Sequence, residues 1–379
     1  MYIMTKSNSA RVSQLLVVAA EVGNVDTEQD RSEDPHHDRH GGPDADPPEP
    51  GLLDVGRGVV EQRHDQDDDC EHRRPLRDAP DGQGGGPDAE RVPDGLRGRF
   101  VRLGETVDYV LRAHDYPPPV SDLLGQLLVL AGALAGGLKF AGRFSLQIRA
   151  DGPVRLLVAD CTNDGEMRGY ASFDAEQVAG LAPERPMDLL GKGLLALTVD
   201  QRDGGGELQQ GIVELGGETL SDCMLNYFHR SEQVRTGIRV AVARDTVSGR
   251  WHAGAIVMQA LPVADTRRLP EAEDDWLRAM LLLGTATDEE LLDPALRPDD
   301  LLFRLFHEDG VRVFEALPLN PGCGCDEQRV WNMLASFPLD DLESMRQEDG
   351  GITVTCQFCS RVYAFDQDRL SGLLAPRRH

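Results

Sequence analysis

Cys323-Gly324-Cys325 stands near the C-terminal end of the chain, and Cys356-Gln357-Phe358-Cys359 follows after the 30 residues 326–355. Two close cysteine pairs separated by a small-domain distance are what a four-thiolate zinc site needs. Tetrahedral zinc, with Zn–S near about 2.3 Å, is held by two short chelating loops brought face to face. Gly322 and Gly324 allow the first loop a tight path. The second pair lies between Ile352-Thr353-Val354-Thr355 and Val362-Tyr363-Ala364-Phe365, so the pattern predicts a hairpin with Cys356 and Cys359 at its tip. Residues 326–337 and 339–348 read as two short helices. The expectation is a small C-terminal module, residues 321–379, that binds one Zn2+ per reduced chain through Cys323, Cys325, Cys356 and Cys359. Spacing alone fits a structural zinc ribbon without a redox role equally well. A thioredoxin-like dithiol at Cys356 and Cys359 fits less well. That motif opens a helix whose N-terminus lowers the thiol pKa, whereas β-like residues follow here. Cys161 and Cys223 read as small buried apolar residues.

Upstream, residues 262–320 are punctuated by Pro262, Pro270, Pro294, Pro298 and Pro318. Short acidic helices are expected at 271–283, 288–292 and 299–306. Helices of this length do not stand alone and must rest on a neighbour. Leu277, Met280, Leu281, Leu301, Leu302, Leu305 and Phe306 are expected on their buried faces. This stretch reads as a metastable helical linker.

Residues 94–261 carry the pattern of a folded domain. A strand at 100–103 and a helix at 105–114 precede Pro117-Pro118-Pro119. Ser121 is the expected cap of a second helix, almost wholly apolar over 123–138, with Gly132 and Gly136 one turn apart for close approach. Segments 144–149 and 154–159 flank Asp151-Gly152, a hairpin signal, and 167–173, 194–200 and 211–215 extend the meander. Leu220, Cys223, Met224, Tyr227 and Phe228 mark a helix face. Segments 237–243 and 253–260 read as a last strand pair. Helices with antiparallel strands and no regular βαβ alternation predict an α+β domain.

Residues 1–93 differ from everything after them. They hold 10 Lys and Arg against 21 Asp and Glu, and Tyr2 is their only Phe, Tyr or Trp. Such a segment buries too little apolar surface to offset its ordering entropy, so a disordered extension is expected. Cys70 is a bystander there. His36, His37 and His40 could hold a metal but read more simply as part of a solvated tail. After Met4 no Met occurs until Met167. A start near Val92 would need a non-AUG codon, which makes 1–93 a candidate for an upstream AUG chosen in its place.

The formal net charge of −26 argues against a phosphate-backbone binder, which needs clustered Lys and Arg. The cysteine module sharpens this. Seven acids (Asp326, Glu327, Asp340, Asp341, Glu343, Glu348, Asp349) face two bases, Arg329 and Arg346, between Cys323 and Cys359. No 18-residue apolar run is seen, so no membrane span is expected. Leu15–Ala20 is shorter than a signal-peptide core of about 7–15 residues, and the expected location is cytoplasmic. No phosphate loop G-x-x-x-x-G-K-[ST] exists, and no catalytic residues are identified.

Several stretches together carry a family resemblance. Besides the two cysteine pairs, these are His114-Asp115-Tyr116-Pro117, Leu138-Lys139-Phe140, Asp151-Gly152-Pro153, Met167-Arg168-Gly169, Tyr227-Phe228-His229-Arg230-Ser231-Glu232-Gln233 and Glu348-Asp349-Gly350. From about Leu96 to Leu373 the chain resembles the redox-regulated 33-kilodalton heat-shock chaperone family; residues 1–93 match nothing in it. The resemblance implies an ATP-independent holdase, not an enzyme. Its reduced form carries zinc on Cys323, Cys325, Cys356 and Cys359. Oxidation forms disulfides Cys323–Cys325 and Cys356–Cys359, releases zinc and unfolds the linker. The implied partners are unfolding client proteins, with a homodimer in the oxidised form. The competing reading is a structural zinc-ribbon interaction protein without redox switching.

Overall fold

The structure, a computed structural model, describes residues 2–4, 96–181, 185–202, 205–262, 267, 269–308, 311, 313–314 and 316–374. Of the 1–93 extension only Tyr2–Met4 is described. It forms a strand, β1, so the expected disorder does not extend to these three residues. His36, His37, His40 and Cys70 lie outside the described residues.

The first folded region runs β2 (Leu96–Leu103), α1 (Glu105–Arg112), α2 (Pro118–Ala135), β3 (Arg143–Ala150), β4 (Val154–Thr162), β5 (Glu166–Phe173), α3 (Ala175–Gly180), β6 (Gly193–Asp200), β7 (Leu208–Glu214), α4 (Leu220–Tyr227), β8 (Thr236–Arg244) and β9 (Trp251–Ala260). The second contributes α5 (Leu269–Leu283), α6 (Asp288–Leu292) and α7 (Pro298–Phe306). The third contributes β10 (Asn320–Pro321), α8 (Glu327–Ala335), α9 (Leu339–Met345), β11 (Ile352–Cys356), β12 (Val362–Phe365) and α10 (Gln367–Leu374). The architecture is α+β, as expected. The 320/321 boundary expected between linker and module falls inside β10.

Two sheets enclose α2. One has the order β10-β5-β4-β3-β6-β7 and the other β2-β9-β8. All described pairings are antiparallel except β10 with β5. Strand alternation gives each sheet an inner face, and α2 lies between the two. Phe144, Leu146, Ile148, Leu157 and Ala159 come from the first sheet, and Ala253, Ala255 and Val257 from the second. Leu124 and Leu128 of α2 meet Gly169 of β5, while Gly125 meets Val242 of β8. A helix apolar all round belongs in a core. By length and composition α2 could cross a membrane, but 78% of it is buried in the protein.

Two sequence expectations change here. Ser121 does not cap α2, because the helix starts three residues earlier with Pro118 and Pro119 in its first turn. Proline lacks the N–H that is unsatisfied there anyway and brings the helical φ with it. Ser121 instead donates to the Tyr116 carbonyl at 3.3 Å. Gly132 does allow a close approach, since a Cβ there would lie 2.9 Å from Leu319. Gly136 is the C-cap of α2.

The outer faces of the two sheets are covered by different parts of the chain. The linker helices cover β8 and β9, where Ala241, Ile256 and Met258 pack with Ala279, Leu283, Leu291, Leu301 and Leu305. The buried face of α5 is Trp276, Ala279 and Leu283; Leu277 and Leu281 are exposed. The expected face of α5 was rotated, because its seam follows Trp276 at i, i+3, i+7 and not the leucines. Leu301 and Leu305 are buried as expected, with Met280 and Phe306 partly so. Three arginines fasten this covering. Arg102 of β2 donates to the carbonyls of Glu290, Leu291 and Leu296 at 2.7, 2.8 and 2.5 Å. Arg239 reaches the Ala286 carbonyl and Asp288, and Arg235 pairs with Glu273.

The C-terminal module covers part of the larger sheet. Leu156, Val158 and Tyr170, from the face opposite α2, join a cluster with Val330, Leu334, Leu342, Val354 and Phe365. A strap leads into it from the linker. Asn320 donates to the Gly165 carbonyl and Gly322 to the Met167 carbonyl, at 2.9 and 2.8 Å. Thr106 donates to the Leu319 carbonyl at 2.7 Å.

Candidate metal centre

Cys323 and Cys325 sit in the irregular loop between β10 and α8. Asp326 caps α8 by accepting from the Arg329 N–H, and the Arg329 guanidinium donates back to the Gly324 carbonyl at 2.8 Å. Cys356 ends β11, and the chain turns through Cys359 before β12. The turn is closed by Cys356 N–H to the Arg361 carbonyl and Ser360 N–H to the Cys356 carbonyl, both at 2.9 Å. Ser360 takes a left-handed conformation, φ 56°. The strand on the other side of β11 is β1, with Tyr2 opposite Cys356.

The structure brings all four expected cysteines together. Their sulfurs lie within 4.8 Å of one another. Cys323 Sγ is 3.6 Å from Cys356 Sγ, and Cys325 Sγ is 3.4 Å from Cys359 Sγ. A tetrahedron with metal–sulfur bonds of about 2.3 Å has edges of roughly 3.8 Å. The array fits such a centre. The shortest separations run between the loops, whereas the disulfides implied by the resemblance join sulfurs within each loop. Tyr363, which the sequence reading did not single out, donates its hydroxyl to Cys325 Sγ at 3.2 Å.

The array favours negative charge unevenly. As thiols, Cys323 is held down to about 5 by the hydrogen bond with Cys356, and Cys356 is pushed up by the same contact and by burial. Burial lifts Cys359 to about 11. A bound divalent cation overrides this order, because a coordinating thiol is deprotonated outright. Cys161 and Cys223 are buried in the α2 core, away from the array. Burial lifts Cys161 to about 11 and raises Cys223.

The turn between Cys356 and Cys359 is also where the module meets the first domain. His114 Nε2 lies 2.6 Å from the Gln357 carbonyl. A carbonyl can only accept, so this nitrogen carries the proton. Ser360 donates to the Ala113 carbonyl at 2.7 Å. The Arg168 guanidinium lies 4.0 Å from the centroid of the Phe358 ring, and Tyr170 meets that ring edge-on at 6.5 Å. The sequence marked His114 and Arg168 only as landmarks without a role. The contact joins residues about 190–240 apart in the chain, and no local pattern reports such a pairing.

The fold and site define a class: an α+β domain with a covering helical segment and a docked four-cysteine module. Comparisons with known proteins agree. The Hsp33 protein family matches residues 92–366. The 33 kDa chaperonin of Caulobacter vibrioides is 42% identical over 285 residues, covering 73% of this chain and 92% of the relative. That of Pseudomonas fluorescens is 40% identical over 281 residues, covering 74% and 89%. The crystal structure of the Thermotoga maritima 33 kDa chaperonin superposes with a TM-score of 0.63 at 24% identity, covering 74% of this chain and 93% of that one. The chain belongs to the Hsp33 family.

Proposed function

We propose that this chain is a cytoplasmic, ATP-independent holdase chaperone whose activity is switched on by oxidation, and not an enzyme. We divide it into a client-binding domain at 94–261, a linker at 262–320 and a redox-switch module at 321–379. The observation that carries the reading is the array of four sulfurs in a module docked directly on the first domain.

Cys323, Cys325, Cys356 and Cys359 would hold one Zn2+. Bound zinc would keep the sulfurs as thiolates and clamp the two loops together. The module needs such a clamp, because chains below roughly 70–80 residues rarely fold on a hydrophobic core alone. Its core is small: Val330, Leu334, Phe337, Leu342, Ile352, Val354, Phe358, Tyr363, Phe365 and Leu370, with Tyr170 lent by the first domain. Oxidation removes four electrons from the four thiolates. Two disulfides form, Cys323–Cys325 and Cys356–Cys359, and two equivalents of a peroxide with four protons are reduced to water. Sulfurs so paired no longer ligate metal. The module then loses folding energy on the order of 10 kcal/mol. The strap that leads into Cys323 loses its C-terminal anchor, and the linker helices above it can leave the smaller sheet. Exposed apolar surface then binds unfolding clients, with the oxidised chain as a homodimer.

The test is zinc content and suppression of aggregation of a thermally unfolding enzyme, before and after peroxide. About one equivalent of zinc with no suppression, changing to none with strong suppression, is expected. Retained zinc and unchanged activity after peroxide would leave the structural zinc-ribbon reading in its place.

A further inference from the structure

Phe358 is out of keeping with a metal loop. Holding a cation needs only the flanking sulfurs, yet this ring at the tip of the turn is 7% exposed and buried against another domain. Its receiving site is built to last without it. Arg168 is held in place by Asp160 at 2.7 Å, and Asp160 in turn accepts from Ser145 at 2.7 Å. Tyr170 stands beside His114, ring centroids 5.7 Å apart. His114 presents an N–H that takes the main-chain carbonyl preceding the ring. Leu156 and Val158 supply apolar surface on the same sheet face. The site therefore reads two things: a peptide carbonyl and the aromatic side chain that follows it. Neither feature is specific to a metal loop, and any unfolded chain offers both. Gln357 adds a weakness to the docked state, because its side-chain Oε1 is buried without a partner among the described residues. A buried unsatisfied acceptor opposes docking.

We propose that the cradle of His114, Arg168 and Tyr170 is a binding site for an aromatic residue of an unfolded client, and that Phe358 fills it as an internal stand-in until the module departs. This rests on the holdase reading above and names its partner chemistry. It makes the redox switch a competition for one site: the segment that senses oxidant is the segment that blocks the client.

The probe is the labelled peptide Thr-Ser-Gln-Phe-Ser-Ser, the 355–360 turn with serine for cysteine, together with its Phe→Ala counterpart. Anisotropy is measured with the full chain, oxidised or reduced and zinc-loaded. The oxidised chain should bind the Phe peptide about tenfold more tightly than the Ala peptide, the scale of a lost aromatic and cation–π contact. The reduced chain should bind neither. Tyr170→Leu, which keeps apolar volume, and Arg168→Gln should each weaken binding to the oxidised chain severalfold. Reduced, zinc-loaded Phe358→Ala should gain binding of the Phe peptide with its zinc content unchanged. Equal binding of both peptides, or equal binding to both redox states, overturns the proposal. Aggregation suppression is read in parallel. Suppression by oxidised chain that excess Phe peptide does not compete away sinks this inference alone. Absence of suppression alongside selective peptide binding sinks the holdase reading and leaves the site standing.

Discussion

The two outer sheet faces are covered in opposite ways. On the smaller sheet, the linker helices lie on Ala241, Ile256 and Met258 and are fastened by arginines that belong to the underlying domain. On the larger sheet, the C-terminal module rests on Leu156, Val158 and Tyr170 and is organised around four of its own sulfurs. The first covering depends on packing and on charged hydrogen bonds, and holds no thiol; its oxidisable methionines Met258 and Met280 are buried and partly buried. The second is organised around four cysteine sulfurs, which as zinc-bound thiolates would be open to direct attack by oxidants. On the proposed reading, oxidation would reach the second cover directly, at its four sulfurs, and the first only through the strap at 316–322 that joins them.

The largest expected effect comes from the second cover. Chelation, or Cys356→Ser, should cost the module on the order of 10 kcal/mol. In hydrogen exchange, amides of α8 and β11 should lose protection while those of α2 keep theirs. If α6 loses protection in the same step and at the same rate, the two covers are one cooperative unit and the contrast fails.

The linker cover breaks at Arg102. Its guanidinium satisfies three carbonyls around the end of α6, so Arg102→Ala leaves them short of a donor. A cost of about 2–3 kcal/mol is expected from charged hydrogen bonds of this kind. Limited proteolysis should show faster cutting within 262–320 in reduced protein, with zinc content unchanged. Slow cutting in the variant would mean that apolar packing alone holds the linker. Gly254→Ala tests the same cover more gently. A Cβ there would lie 2.5 Å from the Leu291 carbonyl oxygen, an atom of the rigid main chain, and overpacking of this sort costs about 1–3 kcal/mol. The variant should shift α6 and lower the thermal midpoint without affecting metal binding.

How much of this could be read from the sequence follows from the range of each signal. The hairpin tip at Cys356–Cys359 and the strand pair 236–244 with 251–260 were legible, because periodicity and turn residues are local. The start of α2 is less legible, because Ser121 carries a capping signal while Pro118 and Pro119, three residues earlier, carry the first-turn signal that the helix follows. On α5 the leucine pattern points to a different face, because a helix buries the side that meets its neighbours: Ala279 and Leu283 share a cluster with Met258 and Ala241, and Trp276 lies under Arg235, partners that lie elsewhere in the chain. The strap β10 is two residues long and carries no periodicity to detect. The docking of Phe358 on Arg168 and Tyr170 needed the tertiary fold. The clustering of Cys323, Cys325, Cys356 and Cys359 was legible, because pairs at this spacing are a local pattern with a non-local meaning.

The smallest expected effect concerns the core that both covers share. Cys161 and Cys223 lie against α2, beneath the covers, and burial lifts Cys161 to about 11. Alkylation requires the thiolate. At pH 8 a thiol with that value is ionised to about one part in a thousand, against roughly a quarter for a free cysteine near 8.5. Burial slows the reaction further by denying the reagent access. The sign is therefore clear: raising pH from 7 to 9 should increase labelling of both residues, from a very low base. Chelation unfolds the module and returns its thiols to the free-cysteine range, so iodoacetamide at pH 8 should then modify Cys323, Cys325, Cys356 and Cys359 quickly and leave Cys161 and Cys223 nearly untouched, as mass spectrometry of the tryptic peptides would show. The same experiment on Arg102→Ala asks whether the core opens when the linker leaves. Protection of Cys161 in both cases means that the domain between the covers is a fold in its own right, and that the covers can come and go. Labelling of Cys161 as soon as either cover is removed would mean that the covers are part of the core, and that exposing the surface beneath them comes with partial unfolding of the domain itself.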